Sequence, residues 1–151
     1  MSLKEGDPAP DFAMPASGGR QVSRDALKGR PFVLYFYPKA DTPGCTTEAC
    51  AFQDGLGKLP LEIIGVSRDP LRAIEKFATK YGLAFPLASD EAGATSAAYG
   101  TWVEKSMYGK KYMGMERATF LVDAAGRIAR IWRKVRVPGH AEAVLAAAKA
   151  L

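Results

Sequence analysis

Pro31-Phe-Val-Leu-Tyr-Phe-Tyr37-Pro38-Lys-Ala-Asp-Thr42-Pro43-Gly44-Cys45 is the stretch that decides the fold class. Phe32 to Tyr37 is an unbroken run of β-branched, aromatic and apolar residues, closed by Pro38. Such a run reads as a strand buried on both faces. Thr42 followed by Pro43 is a helix start, a hydroxyl N-cap and then proline at the first helical position. A buried strand feeding a helix within five residues is the opening of an α/β unit. The same numbering puts Cys45 at the third helical position, inside the first turn. Free N–H groups and the positive dipole end gather there and stabilise an anion. A thiolate is the nucleophilic form of cysteine, so the position suits a nucleophile. The C-terminal ends of strands are also where open α/β sheets keep their sites.

Outward from that stretch, strands and amphipathic helices alternate. Leu61-Glu-Ile-Ile-Gly-Val-Ser67 reads as a second central strand. Asp69 is expected to N-cap a helix that has Pro70 at its first position. Leu71, Ile74, Phe77, Ala78 and Tyr81 line one face of that helix, and Gly82 ends it. Phe85 to Ser89 is short and holds Pro86, so an edge strand or an extended loop is expected. A short helix follows around Thr95 to Tyr99. Residues 100–116 mix aromatics and methionines with glycines and lysines, as in a loop or an irregular hairpin. Arg117 to Val122, the turn Asp123-Ala-Ala-Gly126 and Arg127 to Val137 read as a β-hairpin. His140 to Leu151 is expected to be a helix that buries Val144, Ala148 and Leu151. These elements imply one α/β domain over residues 1–151, a mixed central sheet with helices on both faces.

A chain of 151 residues and 16.2 kDa fits one domain and buries enough surface to fold without staples. Hydrophobic residues at 48% and charged ones at 25% exclude a disordered or fibrous chain. No apolar stretch approaches the ~20 residues of a membrane span. Met1 to Pro10 has no apolar core of a secretory leader, so a cytoplasmic protein is expected. Two cysteines and one histidine are too few for a structural zinc site, and neither a metal nor a cofactor is expected. Two cysteines also make no disulfide framework. In a reducing compartment they are either inert core thiols or reactive ones.

The segment Phe36-Tyr37-Pro38-Lys39-Ala40-Asp41-Thr42-Pro43-Gly44-Cys45-Thr46-Thr47-Glu48-Ala49-Cys50 resembles the active-site segment of peroxiredoxins. The resemblance is to the bacterioferritin-comigratory-protein (Q-type) subfamily, with its Pro-x-x-x-Thr-x-x-Cys pattern and a second cysteine five residues on. It extends from about Gly6 to the C-terminus through Ile64-Gly-Val-Ser67, Ser89-Asp90, Trp102-Val-Glu-Lys105 and Arg117-Ala-Thr-Phe-Leu-Val-Asp123. It implies a thioredoxin-like fold and a thiol peroxidase acting on hydrogen peroxide and alkyl hydroperoxides. Cys45 would be the peroxidatic cysteine and Cys50 the resolving one, joined in an intramolecular disulfide that thioredoxin or a similar dithiol reduces. Thr42 would hydrogen-bond the thiolate and a peroxide oxygen, Pro38 would shield the pocket from water, and Arg117 would supply positive charge. Glu48 stands where many members place an acid that orients the arginine. The other reading of the same cysteine pair is a non-catalytic redox sensor or chaperone-like binding protein that uses the disulfide as a switch.

On a regular helix, residues five apart have Cα atoms roughly 8.7 Å from each other, beyond the ~7 Å that a disulfide spans. A bond between Cys45 and Cys50 therefore requires the helix to unwind. The net charge of +5 and the alternation of Arg130, Trp132, Lys134 and Arg136 raise the question of a nucleic-acid partner. Ala129, Ile131 and Val135 between them look like core, and the basic residues read as a solvated sheet face. No nucleic-acid or membrane partner is expected, and a monomer is. His140 reads as a surface or capping residue. Tyr108, Tyr112 and Met113 are expected to pack within their own loop.

Overall fold

The computed structural model describes residues 3–55, 57–58 and 61–151. Its centre is β3 (Phe32–Phe36), all five residues of which are buried. On one side β3 pairs in parallel with β4 (Glu62–Ser67), which pairs in parallel with β5 (Leu87–Ser89). On the other side it pairs antiparallel with β8 (Ala118–Val122), and β8 pairs antiparallel with β9 (Ile128–Trp132). Two N-terminal strands, β1 (Ala13–Ala16) and β2 (Arg20–Ser23), complete a seven-stranded sheet of order β2-β1-β5-β4-β3-β8-β9.

The two faces of this sheet carry separate cores. Val33, Tyr35 and Tyr37 point to one face, where Leu121 joins them. Helices α1 (Pro43–Gly55), α2 (Leu71–Tyr81) and α4 (His140–Lys149) cover it. Phe32, Leu34, Phe36 and Phe120 point to the other face. There they meet Phe12 and Met14 of the N-terminal segment, and Tyr99 just after the short helix α3 (Ala94–Ala98). Helices thus flank both faces, the long ones all on one. No helix among the described residues is long and apolar enough to cross a membrane.

Several expectations are corrected. β1 and β2 carry little sequence signal: Pro15 and two alanines stand where β-branched residues would announce a strand, although Met14 and Ala16 alternate inward. β5 is neither an edge nor a loop, since it lies between β1 and β4. Pro86 stands just before the strand, where its missing N–H is not needed and its carbonyl accepts from Gly65 N at 3.1 Å. Asp69 does not cap α2. Pro70 is the N-cap, and its carbonyl takes the first helical bonds from Ala73 and Ile74.

Residues 100–116 hold a regular hairpin, β6 (Trp102–Met107) and β7 (Lys110–Met115), outside the main sheet. Its tip, Tyr108-Gly109, has positive φ at both residues, which sends Tyr108 outward at 98% exposure. Tyr112 and Met113 are exposed as well and do not pack within a loop. The last strand stops at Trp132, and Lys134 has φ of 47°, so Lys134 and Arg136 do not extend a basic strand face. Leu151 is exposed and Ala148 only half-buried, which leaves Val144 as the buried anchor of that face of α4. His140 is buried, at 6% exposure.

Candidate active site

The antiparallel register of β3 and β8 builds the site. Phe36 pairs with Ala118, so the next position along β3 stands opposite Arg117. Arg117 then shares a face with Thr119 and Leu121 by strand alternation. That face is the one α1 covers. A cation at the start of β8 and a cysteine at the start of α1 are 72 residues apart in sequence and meet at the end of β3.

Helix α1 begins at Pro43 as the Thr42-Pro43 pair predicts, with Thr46 N donating to Thr42 O at 2.8 Å. Cys45 is in its first turn and 1% exposed. Arg117 Nη2 donates to Cys45 Sγ at 3.4 Å, and Arg117 Nη1 donates to Glu48 Oε1 at 2.6 Å. Glu48 is one turn along the same helix face and also 1% exposed. One guanidinium thus spans thiol and carboxylate, with an N–H pair on each side of its fork. Gly44 lets the arginine approach, since a Cβ there would stand 3.3 Å from Arg117 Nη2.

Burial pushes the Glu48 carboxyl up to about 7, against the pull of Arg117. The phenols of Tyr35 and Tyr37, in the same face of β3 and the loop after it, are pushed upward by burial too. Glu48 Oε2, Tyr35 Oη and Tyr37 Oη have no hydrogen-bond partner, the three such buried side-chain atoms among the described residues. They lie on the same face of the sheet, under α1. The guanidinium of Arg117 therefore meets the Cys45 sulfur in low-dielectric surroundings, where an interaction between them is stronger than in water.

Pro38 is exposed at the end of β3. The Thr42 hydroxyl donates to Lys39 O at 2.8 Å and not to Cys45, so it braces the loop in this state. Cys50 is half-buried on the continuous helix, and both thiols are free. Two supports of the site were not foreseen. Asp69 Oδ2 accepts from Ala40 N at 2.8 Å and from Ser67 Oγ at 2.7 Å, which fixes the loop before the helix. His140 Nε2 lies 2.8 Å from Thr119 Oγ1, and its ring meets Phe52 of α1 edge-on. Burial pushes His140 down to about 4, and Arg117 adds to the effect. Its place after Pro138-Gly139 gave no sign of burial. No group of three or more metal-ligating side chains occurs among the described residues.

The chain is similar to known proteins over most of its length. The AhpC/TSA family model matches residues 5–131. A putative peroxiredoxin Bcp of Coxiella burnetii is 46% identical over 148 residues, covering 96% of this chain and 98% of its relative. A cysteine-to-serine variant of PrxQ from Xylella fastidiosa superposes with a TM-score of 0.93 at 36% identity, covering 99% of this chain and 98% of the other. The bacterioferritin comigratory protein of Xanthomonas campestris, studied for alkyl peroxide reduction, superposes with a TM-score of 0.87 at 46% identity and covers 92% and 90% of the two chains. The chain belongs to the AhpC/TSA family and, within it, to the Bcp (Q-type) peroxiredoxins.

Proposed function

We propose that this protein is a thiol peroxidase for hydrogen peroxide and alkyl hydroperoxides, with Cys45 as the attacking group. The observation that carries the reading is the single guanidinium of Arg117 in contact with both the Cys45 sulfur and Glu48. The thiolate attacks one peroxide oxygen, an S–O bond forms and the O–O bond breaks. The electron pair of that bond leaves on the second oxygen, which takes up a proton and departs as water or an alcohol. Cys45 is left as the sulfenic acid. Arg117 and the free amides of the first turn of α1 face this charge as it develops, and the half-dry pocket strengthens both interactions. Glu48 holds the guanidinium in its plane. Pro38 and Thr42 belong to the loop that leads into Cys45, and in this reading they shield the sulfur and meet the peroxide. The Thr42 hydroxyl can reach an incoming oxygen only by rotating away from Lys39 O.

The second step is attack of the Cys50 thiol on the sulfenic sulfur, which forms the disulfide and releases water. A continuous helix keeps the two residues too far apart, so the first turns of α1 unwind for it. A dithiol protein such as thioredoxin then takes the disulfide electrons back by exchange. The chain's own residues suffice for the chemistry at sulfur.

The test is steady-state peroxide consumption with thioredoxin, its reductase and NADPH. The wild type is expected to turn over many equivalents, and Cys45→Ser none above a few per cent, because a hydroxyl is a far weaker nucleophile than a thiolate. Consumption of one equivalent of peroxide per reduction cycle, or retained turnover in Cys45→Ser, would overturn the assignment.

A further inference from the structure

The loop that delivers Cys45 turns from β3 into α1 through an unusual residue. Asp41 has φ of 60°, the left-handed region that a residue other than glycine enters at a cost. Its carboxylate reaches across to the last turn of α2. It accepts from Lys80 Nζ at 3.0 and 3.3 Å and from Tyr81 Oη at 3.0 Å. The backbone is thus held in a costly conformation by side-chain bonds to an element that has no part in α1. Next to it, the Ala40 N–H is held by Asp69. The following bonds, Thr42 Oγ1 to Lys39 O and Thr46 N to Thr42 O, lie within the loop and helix start themselves. The tie from Asp41 to α2 is therefore one that the helix start cannot carry with it when it moves.

We propose that Asp41 is a positioning residue, a latch whose bonds to Lys80 and Tyr81 hold the wound form of α1 and part when the helix unwinds. Release lets the backbone at residue 41 relax to negative φ, so the strain favours opening and the side-chain bonds oppose it. The latch then sets how long oxidised Cys45 stays in its pocket. That interval divides the sulfenic acid between two fates. Attack by the Cys50 thiol gives the disulfide and water. Attack of the sulfenate on a second hydroperoxide forms a second S–O bond, breaks the O–O bond and gives the sulfinic acid plus water or an alcohol. The proposal rests on the Cys45 and Cys50 assignment above.

The experiment separates the two steps. Reduced protein is mixed with stoichiometric peroxide, quenched in acid at intervals, and scored by mass spectrometry for sulfenic acid, disulfide and sulfinic acid. Exposed pairs of this kind are worth enough to shift an equilibrium by about twofold to fivefold. Asp41→Ala is expected to slow the peroxide step by that factor and to speed disulfide formation by a similar one, with less sulfinic acid at excess peroxide. Asp41→Asn keeps an acceptor for Tyr81 and tolerates positive φ, so it should fall between. Lys80→Gln with Tyr81→Phe removes the same bonds from the α2 side and should reproduce Asp41→Ala, which covers the case of a poorly folded loop variant. Slowing of both steps, as a merely loosened site would give, overturns the latch, and so does no change in either. If the wild type itself forms no Cys45–Cys50 disulfide, the underlying assignment fails instead, whatever the variants do.

Discussion

Glu48→Gln and His140→Gln should change the pH dependence of stability in opposite directions, because two buried groups within reach of Arg117 offset each other in the native protein. Burial pushes Glu48 from an ordinary 4.5 up to about 7 and His140 from 6.5 down to about 4. Folded Glu48 keeps a proton that the unfolded chain releases. Its contribution is complete below pH 4.5 and is lost as pH rises through 7. Folded His140 refuses a proton that the unfolded chain accepts. Its contribution is complete above pH 6.5 and is lost as pH falls through 4. By linkage, raising the pH from about 5 to about 7.5 removes ~2 kcal/mol on account of Glu48 and restores ~2 kcal/mol on account of His140. The two nearly cancel in the wild type. Glu48→Gln leaves His140 unopposed, so its unfolding free energy should rise by about 2 kcal/mol over that interval relative to the wild type. His140→Gln should fall by a similar amount. Urea unfolding under reducing conditions at a series of pH values reads this directly, since every other titrating group is common to the three proteins. Parallel curves for all three would refute the reasoning from burial.

Arg117→Ala should remain folded and react with peroxide roughly 100-fold or more slowly, the usual effect of losing one donor to a developing oxyanion; an unchanged second-order rate would remove Arg117 from the site. Cys50→Ser should retain the peroxide step, accumulate sulfenic acid and keep amide protection from Thr46 to Asp54 after oxidation, whereas the oxidised wild type loses it; equal protection in both would mean that Cys50 does not resolve Cys45 within the chain, and a disulfide-linked dimer on a non-reducing gel would then be expected. Gly65→Ala should cost about 1–3 kcal/mol in thermal or urea unfolding, because its Cβ would stand 2.7 Å from Leu87 Cδ2 and 2.8 Å from Tyr35 Oη.

The centre of this fold and site was legible because local rules and tertiary packing agree there. The apolar run of β3, the Thr42-Pro43 helix start and the Asp123–Gly126 turn each fix their own conformation, and in that turn the amides of Ala125 and Arg127 donate to Asp123 Oδ1. The misses have a common cause, neighbours remote in sequence. β5 is an interior strand because β1 comes to its outer side, and β1 has too little β-branched character to be foreseen. Asp69 reads as a helix cap by position, but Ala40 and Ser67 claim its carboxylate. His140 is buried because Thr119, Phe52 and Trp132 surround it, none of them its neighbour in the chain. At the site, the pairing of Arg117 with Cys45 was available only through resemblance, since nothing in the sequence states that β8 runs antiparallel to β3.

That antiparallel run determines which changes of chain length the enzyme can absorb. Arg117 owes its place to a ladder counted back from Val122 opposite Phe32 to Ala118 opposite Phe36. One residue added between Arg117 and Ala118 would turn the guanidinium to the opposite face of the sheet, toward the Phe36 and Phe120 core, and strand Glu48 without a cation. The hairpin just upstream is paired only with itself. Lengthening or shortening it in matched pairs, Trp102 to Met115, leaves the count along β8 untouched. Natural or designed variation in length therefore belongs in this hairpin, between Trp102 and Met115. From Arg117 to Val122, the number of residues is what sets the guanidinium beside Cys45.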